Sequence, residues 1–278
     1  MASNPALTPG SRLGHAWRVR SPRGIAIALV DGALETVLPS WWRRNRGWYA
    51  ARFTSASRPV IVIDGHRFEF PLSMVTIPRG LAWLGVYETP ERYAVARFLN
   101  RSLPVVELGG SAGVVACMTN SLLVEPEAHV VVEANPGMAA ILERNRIANG
   151  RAFTVVNCAV AYDGDSIEFP VADDYLASSL VAGSGKTARV PAATLASLME
   201  SRGFSVCNLV CDIEGAEMEM VRREGTLLQR KVAAIVIEVH PAFVGVEAVA
   251  GLERDFDRLG FTIAWRGADV WYLKNRAL

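Results

Sequence analysis

The residues best suited to chemistry fall in two short stretches, each leaving an apolar run for a turn or helix. Val210-Cys211-Asp212-Ile213-Glu214-Gly215-Ala216-Glu217 places three carboxylates within six residues. Ile235-Val236-Ile237-Glu238-Val239-His240-Pro241 adds a fourth carboxylate and an imidazole. If the two apolar runs are neighbouring parallel strands, Asp212, Glu214, Glu238 and His240 meet at the carboxyl edge of a sheet, where open α/β sheets bind ligands. Such a cluster suits removal of a proton from a hydroxyl. His240 is the expected general base, because an imidazole titrates near neutral pH. A carboxylate would orient the ring or the acceptor. The competing reading makes Glu214 or Glu217, three apart on a helical face, a helix-capping acid and His240 a satisfied core histidine. No fixed ligand spacing for a metal is present, and none is expected.

A second constellation precedes it. Val105-Val106-Glu107-Leu108-Gly109-Gly110-Ser111-Ala112-Gly113 is a short apolar run ending in glycines. Glycines there allow a tight turn and close backbone approach to a ligand. A dinucleotide site would show GxGxxG. Here Gly109 and Gly113 enclose three residues, and Glu107 precedes Gly109 by two. That spacing is similar to the glycine pattern of methyltransferases, whose cofactor has no phosphates and needs no pyrophosphate cradle. Glu133 follows Gly113 by 20 residues and is succeeded by Ala134-Asn135-Pro136. A carboxylate at that strand end can accept from both hydroxyls of a ribose. Its structural alternative is an acid at a helix N-terminus, with Pro136 as first helical residue. NAD and S-adenosylmethionine share the ribose diol, so the glycine spacing, not Glu133, separates them.

The elements that must position these groups follow from periodicity. From Pro104 onward, short apolar runs alternate with helical stretches. Strands are expected at Val105–Leu108, His129–Glu133, Phe153–Val156, Asn208–Asp212 and Ala233–Val239. Helices are expected at Gly113–Leu123, Pro136–Asn149, Ala192–Ser201, Ala216–Glu224 and Glu247–Leu259. Near-continuous apolar strands alternating with helices imply a mostly parallel sheet covered on both faces. Phe261–Trp265, a Gly267-Ala268-Asp269 turn and Val270–Leu273 read as a terminal antiparallel pair. The expected fold class is therefore α/β, a Rossmann-like methyltransferase fold with a seven-stranded sheet and an antiparallel C-terminal strand. Upstream, Val60–Phe70 reads as a hairpin turning at Asp64-Gly65, and Pro90–Leu99 as a helix. The chain divides into an extension over 1–58, a hairpin and helix leading into the core over 59–103, and the main domain over 104–278.

The chain has 278 residues, 51% of them hydrophobic, ample for a buried core. Charge is uneven: residues 1–58 hold nine arginines against Asp31 and Glu35, a net of +7, within a chain of net +1. Gly24–Leu38 could form a short helix. Trp41, Trp42, Arg43, Arg44, Arg46 and Trp48 form an aromatic and cationic segment suited to an anionic membrane surface, a nucleic acid or a phosphate-bearing ligand. The alternative is tryptophans packed on the main domain with solvated arginines. The near-zero net charge argues against a globally polybasic nucleic-acid binder. No apolar run is long enough to span a membrane, and the N-terminus is a poor signal peptide. Cys117, Cys158, Cys207 and Cys211 form no CxxC pair, as for buried thiols in a reducing cytoplasm.

Val105–Gly113, VVVEANPGMAAILERNRIANG over 130–150, Asn157-Cys158-Ala159-Val160, CDIEGAE over 211–217 and VIEVHP over 236–241 together resemble the FkbM-type methyltransferases. The resemblance covers roughly residues 88–275. It implies S-adenosylmethionine as cofactor and a hydroxyl of a sugar, glycolipid or small natural product as acceptor. It implies that Glu107, Gly109, Gly110, Ser111 and Gly113 form the methionyl loop, with Glu133 and its neighbours Ala134 and Asn135 at the ribose. The Asn157–Ala159 turn, with Cys158 and Ala159, would lie near the adenine. Asp212 would lie near the methionyl amine or reacting methyl, and Glu214, Glu217, Glu238 and His240 on the substrate side. The family loop usually reads D-x-G-A-N-x-G, whereas this chain has Gly110-Ser111. That departure is the one hint of a non-catalytic binder with the same fold. An RNA methyltransferase using residues 1–58 as an arm is the other alternative, although the Asn/Asp-Pro-Pro-aromatic tetrapeptide of base N-methylation is absent. A cytoplasmic protein is expected, with peripheral contact at the inner membrane surface through the Trp/Arg segment.

Overall fold

The structure is a computed structural model, which describes residues 60–70, 82, 85–170 and 187–278. The basic extension, its Gly24–Leu38 helix and its Trp/Arg segment lie outside the described residues. Among the described residues, no helix is long and apolar enough to cross a membrane.

The central element is β3 (Val105–Leu108). Val106 and Leu108 face one apolar cluster, while Val105 and Glu107 face the other side, as the two-residue repeat of a strand requires. On one side β3 pairs in parallel with β4 (His129–Val132), which pairs with β5 (Thr154–Val156). On the other it pairs in parallel with β9 (Cys207–Cys211), followed by β10 (Val232–Glu238). Strands β11 (Phe261–Gly267) and β12 (Val270–Asn275) complete a seven-stranded sheet in the order β11-β12-β10-β9-β3-β4-β5. Only β12 runs against the rest, consistent with its antiparallel pairing to both neighbours. The sheet grows in opposite directions from β3, so the chain reverses between β3 and β9, where a crevice opens.

Both faces are covered. Helices α4 (Leu195–Ser201), α5 (Glu217–Lys231) and α7 (Val246–Arg258) bury Leu198, Met220 and Phe256 on one face. Helices α1 (Thr89–Phe98), α2 (Val114–Leu122) and α3 (Pro136–Ala148) cover the other. A short turn of helix, α6 (Pro241–Val244), follows β10.

Several boundaries differ from expectation. Helix α5 continues through Glu224-Gly225 to Lys231, where the sequence reads as a stop. Glu224 leaves helical geometry because its carboxylate accepts from Leu195 N, Ala196 N and the Tyr162 hydroxyl. Gly225 serves close packing: an added Cβ would lie 3.0 Å from Leu259. Residues expected at the start of α4 instead end a strand, β8 (Thr187–Ala193), and Thr194 caps the shortened helix. With β6 (Ala159–Val160) and β7 (Ser166–Pro170), β8 forms a small three-stranded sheet that the sequence pattern does not announce.

The hairpin of β1 (Val60–Ile63) and β2 (His66–Glu69) is tied to the domain by asparagines of α3 and its C-cap. Asn149 accepts from Arg67 N and donates to Arg67 O, both at 2.8 Å. Asn145 accepts from Glu69 N at 2.7 Å and donates to Glu69 O and Ala112 O. Four residues of helix rise about 6 Å and two of strand about 6.6 Å, so amides spaced i, i+4 can satisfy alternate strand residues. Buried Arg92 clamps the other end, donating to Asp64, Tyr87 O and Gly85 O. Asn145 is 1% exposed and serves three backbone groups. Asn145→Ala is expected to destabilise the fold by about 2–3 kcal/mol, and Asn149→Ala, at an exposed pair, by about 1 kcal/mol or less. Urea unfolding of the two variants checks that order, and equal losses would contradict it.

Candidate functional site

Parallel strands of matched register bring both sequence constellations to one edge. Leu108 of β3 pairs with Cys211 of β9, and Asp212 N donates to Leu108 O at 2.9 Å. The glycine turn therefore lies directly on Asp212. An added Cβ on Gly109 would sit 1.7 Å from the Asp212 carbonyl oxygen, and Gly109 has φ +89°, so this position accepts only glycine. Gly110 also packs closely on the other side, where a Cβ would lie 2.6 Å from the Val131 and 2.7 Å from the Leu142 side chain. Gly113, φ +84°, starts α2. Ser111 stands between them in the left-handed region at φ 45°, a conformation asparagine tolerates better than serine.

Glu133 closes this turn. Ser111 N donates to its Oε2 and Asn135 N to its Oε1, each at 2.8 Å. A carboxylate has about four acceptor sites, so two remain. Burial pushes the Glu133 carboxyl up to about 7, against the pull of the two backbone donors. Asn135 caps α3 through Gly137 N and Met138 N. Asn157 donates to Glu133 O and Ala134 O and so holds the loop after β4. Cys158 and Ala159, in the turn expected near an adenine, place their side chains in apolar clusters as the chain enters β6. Glu107 is 2% exposed and stands 3.3 Å from His129 Nε2.

The acid cluster converges on one ring. His240 Nε2 lies 3.3 Å from Asp212 Oδ1 and 3.5 Å from Glu214 Oε2, while Nδ1 lies 3.4 Å from Glu217 Oε1. Glu217 is 2% exposed and also accepts from Ile213 N and Gly215 N. Its carboxylate thus fixes the loop after β9 instead of facing a substrate. Glu214 sits in that loop at φ 53°, a strained conformation for a non-glycine residue. Burial favours a neutral His240, but the hydrogen bonds of Asp212 and Glu217 outweigh it and hold its pKa up at about 11. The ring expected as a neutral base therefore keeps its proton at neutral pH. Burial, and then Asp212, push Glu214 up to about 7.

Two residues ahead of β3 that the sequence alone did not single out enter the same crevice, and a third reaches the glycine turn. Glu88 and Glu91 line the crevice with Glu107, Asp212 and Glu238. Burial and then Asp212 raise Glu88 to about 8. Glu91, 6% exposed, shares a hydrogen bond with Glu238, and burial raises both carboxyls. Tyr87 OH lies 3.4 Å from Ser111 Oγ and reaches the glycine turn. Their signal is Tyr87-Glu88-Thr89-Pro90-Glu91, two acids opening a helix whose Glu91 is buried, which reads locally as ordinary macrodipole complementation.

A Rossmann-like sheet with a glycine turn, an acid closing it and a carboxylate cluster opposite defines the class of cofactor-binding α/β enzymes. A family model described as the methyltransferase FkbM domain matches residues 107–261, and the chain belongs to that family. It is an S-adenosylmethionine-dependent methyltransferase. No curated protein matches the sequence. Among solved structures, the chain is similar to a protein in the NADB-Rossmann superfamily from Streptococcus agalactiae (9% identity, TM-score 0.40), covering 66% of this chain and spanning 65% of that one. It is also similar to TYW2 from Pyrococcus horikoshii in complex with MeSAdo (11%, TM-score 0.44), over 85% of this chain and 83% of that one. Ribosomal protein L11 methylase from Lactobacillus delbrueckii subsp. bulgaricus matches at 11% and TM-score 0.41, over 69% and 80%. Likeness this distant says nothing about the acceptor of this chain.

Proposed function

We propose that this methyltransferase methylates a hydroxyl of a sugar, glycolipid or small natural product. The observation that carries the reading is that His240 Nε2 lies within 3.5 Å of both Asp212 and Glu214, beside the crevice that Asp212 lines and where its backbone packs against the glycine turn. Gly109, Ser111 and Glu133 fit the cofactor: the turn has no room for a side chain at Gly109, and Glu133 keeps two acceptor sites for a diol. S-adenosylmethionine supplies an electrophilic methyl on a sulfonium, so the protein's tasks are alignment and removal of the hydroxyl proton.

Both nitrogens of His240 face carboxylates, which makes the ring a positioning group for Asp212 and Glu214. Glu214, with its side chain 35% exposed and held on strained backbone, is the proton acceptor of this reading, replacing His240. Glu217 positions the loop. Among the described residues lining the crevice none is Lys or Arg, whereas five are carboxylates. A polyanion such as RNA is poorly matched to that lining, and a neutral or cationic polyhydroxylated acceptor is well matched.

Methyl transfer from labelled S-adenosylmethionine to a panel of hydroxylated sugars tests the reading, the product being an ether. Glu214→Gln is expected to lower turnover on the order of 10²-fold or more with cofactor affinity unchanged, and wild-type turnover would contradict the role. Glu133 gives a second expectation. Only its ionised form keeps both backbone donors and accepts from two ribose hydroxyls. With its carboxyl at about 7, affinity for S-adenosylhomocysteine rises from pH 6 to pH 8 and levels off above. Glu133→Gln weakens binding roughly 10- to 100-fold and removes the slope. A slope that survives in the variant would contradict the assignment.

A further inference from the structure

Asp212, Glu238 and His240 each present one ligand atom, and these atoms all lie within 4.8 Å of one another. A cation about 2.1–2.4 Å from each oxygen or nitrogen fits that span. The sequence shows no ligand spacing because the set is assembled by tertiary structure: Asp212 follows β9, and Glu238 and His240 lie at the end of the adjacent parallel strand β10.

The orientation of the imidazole points to what the set holds. Nδ1 faces the carboxylate of Glu217, which two backbone amides fix in place. Nε2, on the opposite edge of the ring, lies 3.3 Å from Asp212 and 3.5 Å from Glu214. A cation bound at Nε2 would take the place of the proton there, since metal binding to a histidine displaces that proton. Edges of about 3.0–3.4 Å are those of octahedral or tetrahedral coordination at about 2.1 Å. A carboxylate behind the distal nitrogen of a histidine is the usual support for a metal-binding imidazole.

A second observation comes from outside the triad. Glu91 on α1 is 6% exposed, hydrogen-bonded to Glu238, and lines the same crevice. No N–H or hydroxyl of the described residues donates to its Oε2. Buried Glu91 and half-buried Glu238 share one hydrogen bond beside Asp212, and no Lys or Arg of the described residues lines the crevice, so a cation would offset the carboxylate charge there. The buried Glu91 carboxyl is placed to orient a ligating Glu238.

We propose that Asp212, Glu238 and His240 form a binding site for one divalent cation, of the Mg²⁺ or Mn²⁺ class, whose open positions face the crevice and hold the acceptor hydroxyl oxygen. The two carboxylates suit Mg²⁺ and Mn²⁺ alike, and the imidazole favours Mn²⁺ and its first-row neighbours over Mg²⁺. The purpose of the site rests on the methyl-transfer reading, but its existence does not.

The test is titration of the full chain with MnCl₂, followed by loss of the free-ion electron paramagnetic resonance signal, with MgCl₂ as competitor. The expected result is one bound Mn²⁺ per chain with an affinity in the micromolar range, displaced by Mg²⁺. Glu238→Gln and His240→Gln each weaken it at least tenfold, and Glu91→Gln weakens it less. Parallel titration of each variant with S-adenosylhomocysteine shows that the fold and the glycine turn are intact. A full free-ion signal in the presence of wild-type chain that binds S-adenosylhomocysteine would overturn the metal site and leave the methyltransferase reading standing. Binding of Mn²⁺ unchanged in both ligand variants would overturn it equally, by placing the ion elsewhere.

Discussion

The site depends on the buried carboxylate of Glu217. One oxygen accepts from Ile213 N and faces His240 Nδ1, and the other accepts from Gly215 N. Through these contacts a single side chain fixes the loop that carries Asp212 and Glu214 and the ring that faces them. A carboxylate buried to this degree is costly unless it is paired and hydrogen-bonded, and here it is both. With Glu217 in place, the reactive groups stand on the ends of two parallel strands, the least deformable part of the fold.

The glycine turn is the second half of the same unit. Gly109 rests against the carbonyl of Asp212, so the turn beside Glu133 and the acid cluster cannot move independently. Parallel pairing of β3 with β9 sets the distance between them. Glu88 and helix α1 complete the crevice from outside the matched family region, and the hairpin braces that helix. Arg92 ties α1 to the hairpin, and Asn145 and Asn149 tie the hairpin to α3. Glu88 and Glu91 reach the crevice only because that assembly is held against the sheet. The accumulated negative charge has a physical cost, which a cationic ligand would relieve.

Much of this was legible in the residues. The core strands are near-continuous apolar runs because both faces are covered, and runs such as Ala233–Val239 and Val105–Leu108 are too apolar for a half-exposed strand and too short for a buried helix. The glycine turn, Glu133, Asp212 and His240 lie where strand ends put them. The rest depends on tertiary partners. Thr187–Ala193, with Pro191 in its middle, has no strong strand pattern and becomes a strand by pairing with Ser166–Pro170. Glu224-Gly225 reads as a helix end, yet Glu224 is drawn off by the N-terminus of α4 and Gly225 by Leu259. The spacing of Glu214 and Glu217 suggested a shared face, whereas Glu217 turns inward to backbone amides. Glu91 looks like a common helix-start acid until α1 is packed on β10. Cys158 lies within the expected Asn157–Ala159 turn, and its side chain is buried in the core as the chain enters β6.

The central claim is that the strand, glycine turn and Glu133 form a site for a phosphate-free adenosyl cofactor. Isothermal titration of the full chain with S-adenosylhomocysteine, with NAD as control, tests it most directly. Micromolar binding of S-adenosylhomocysteine with no heat from NAD is the predicted result. Binding of NAD, or of neither compound by folded protein, would contradict the account.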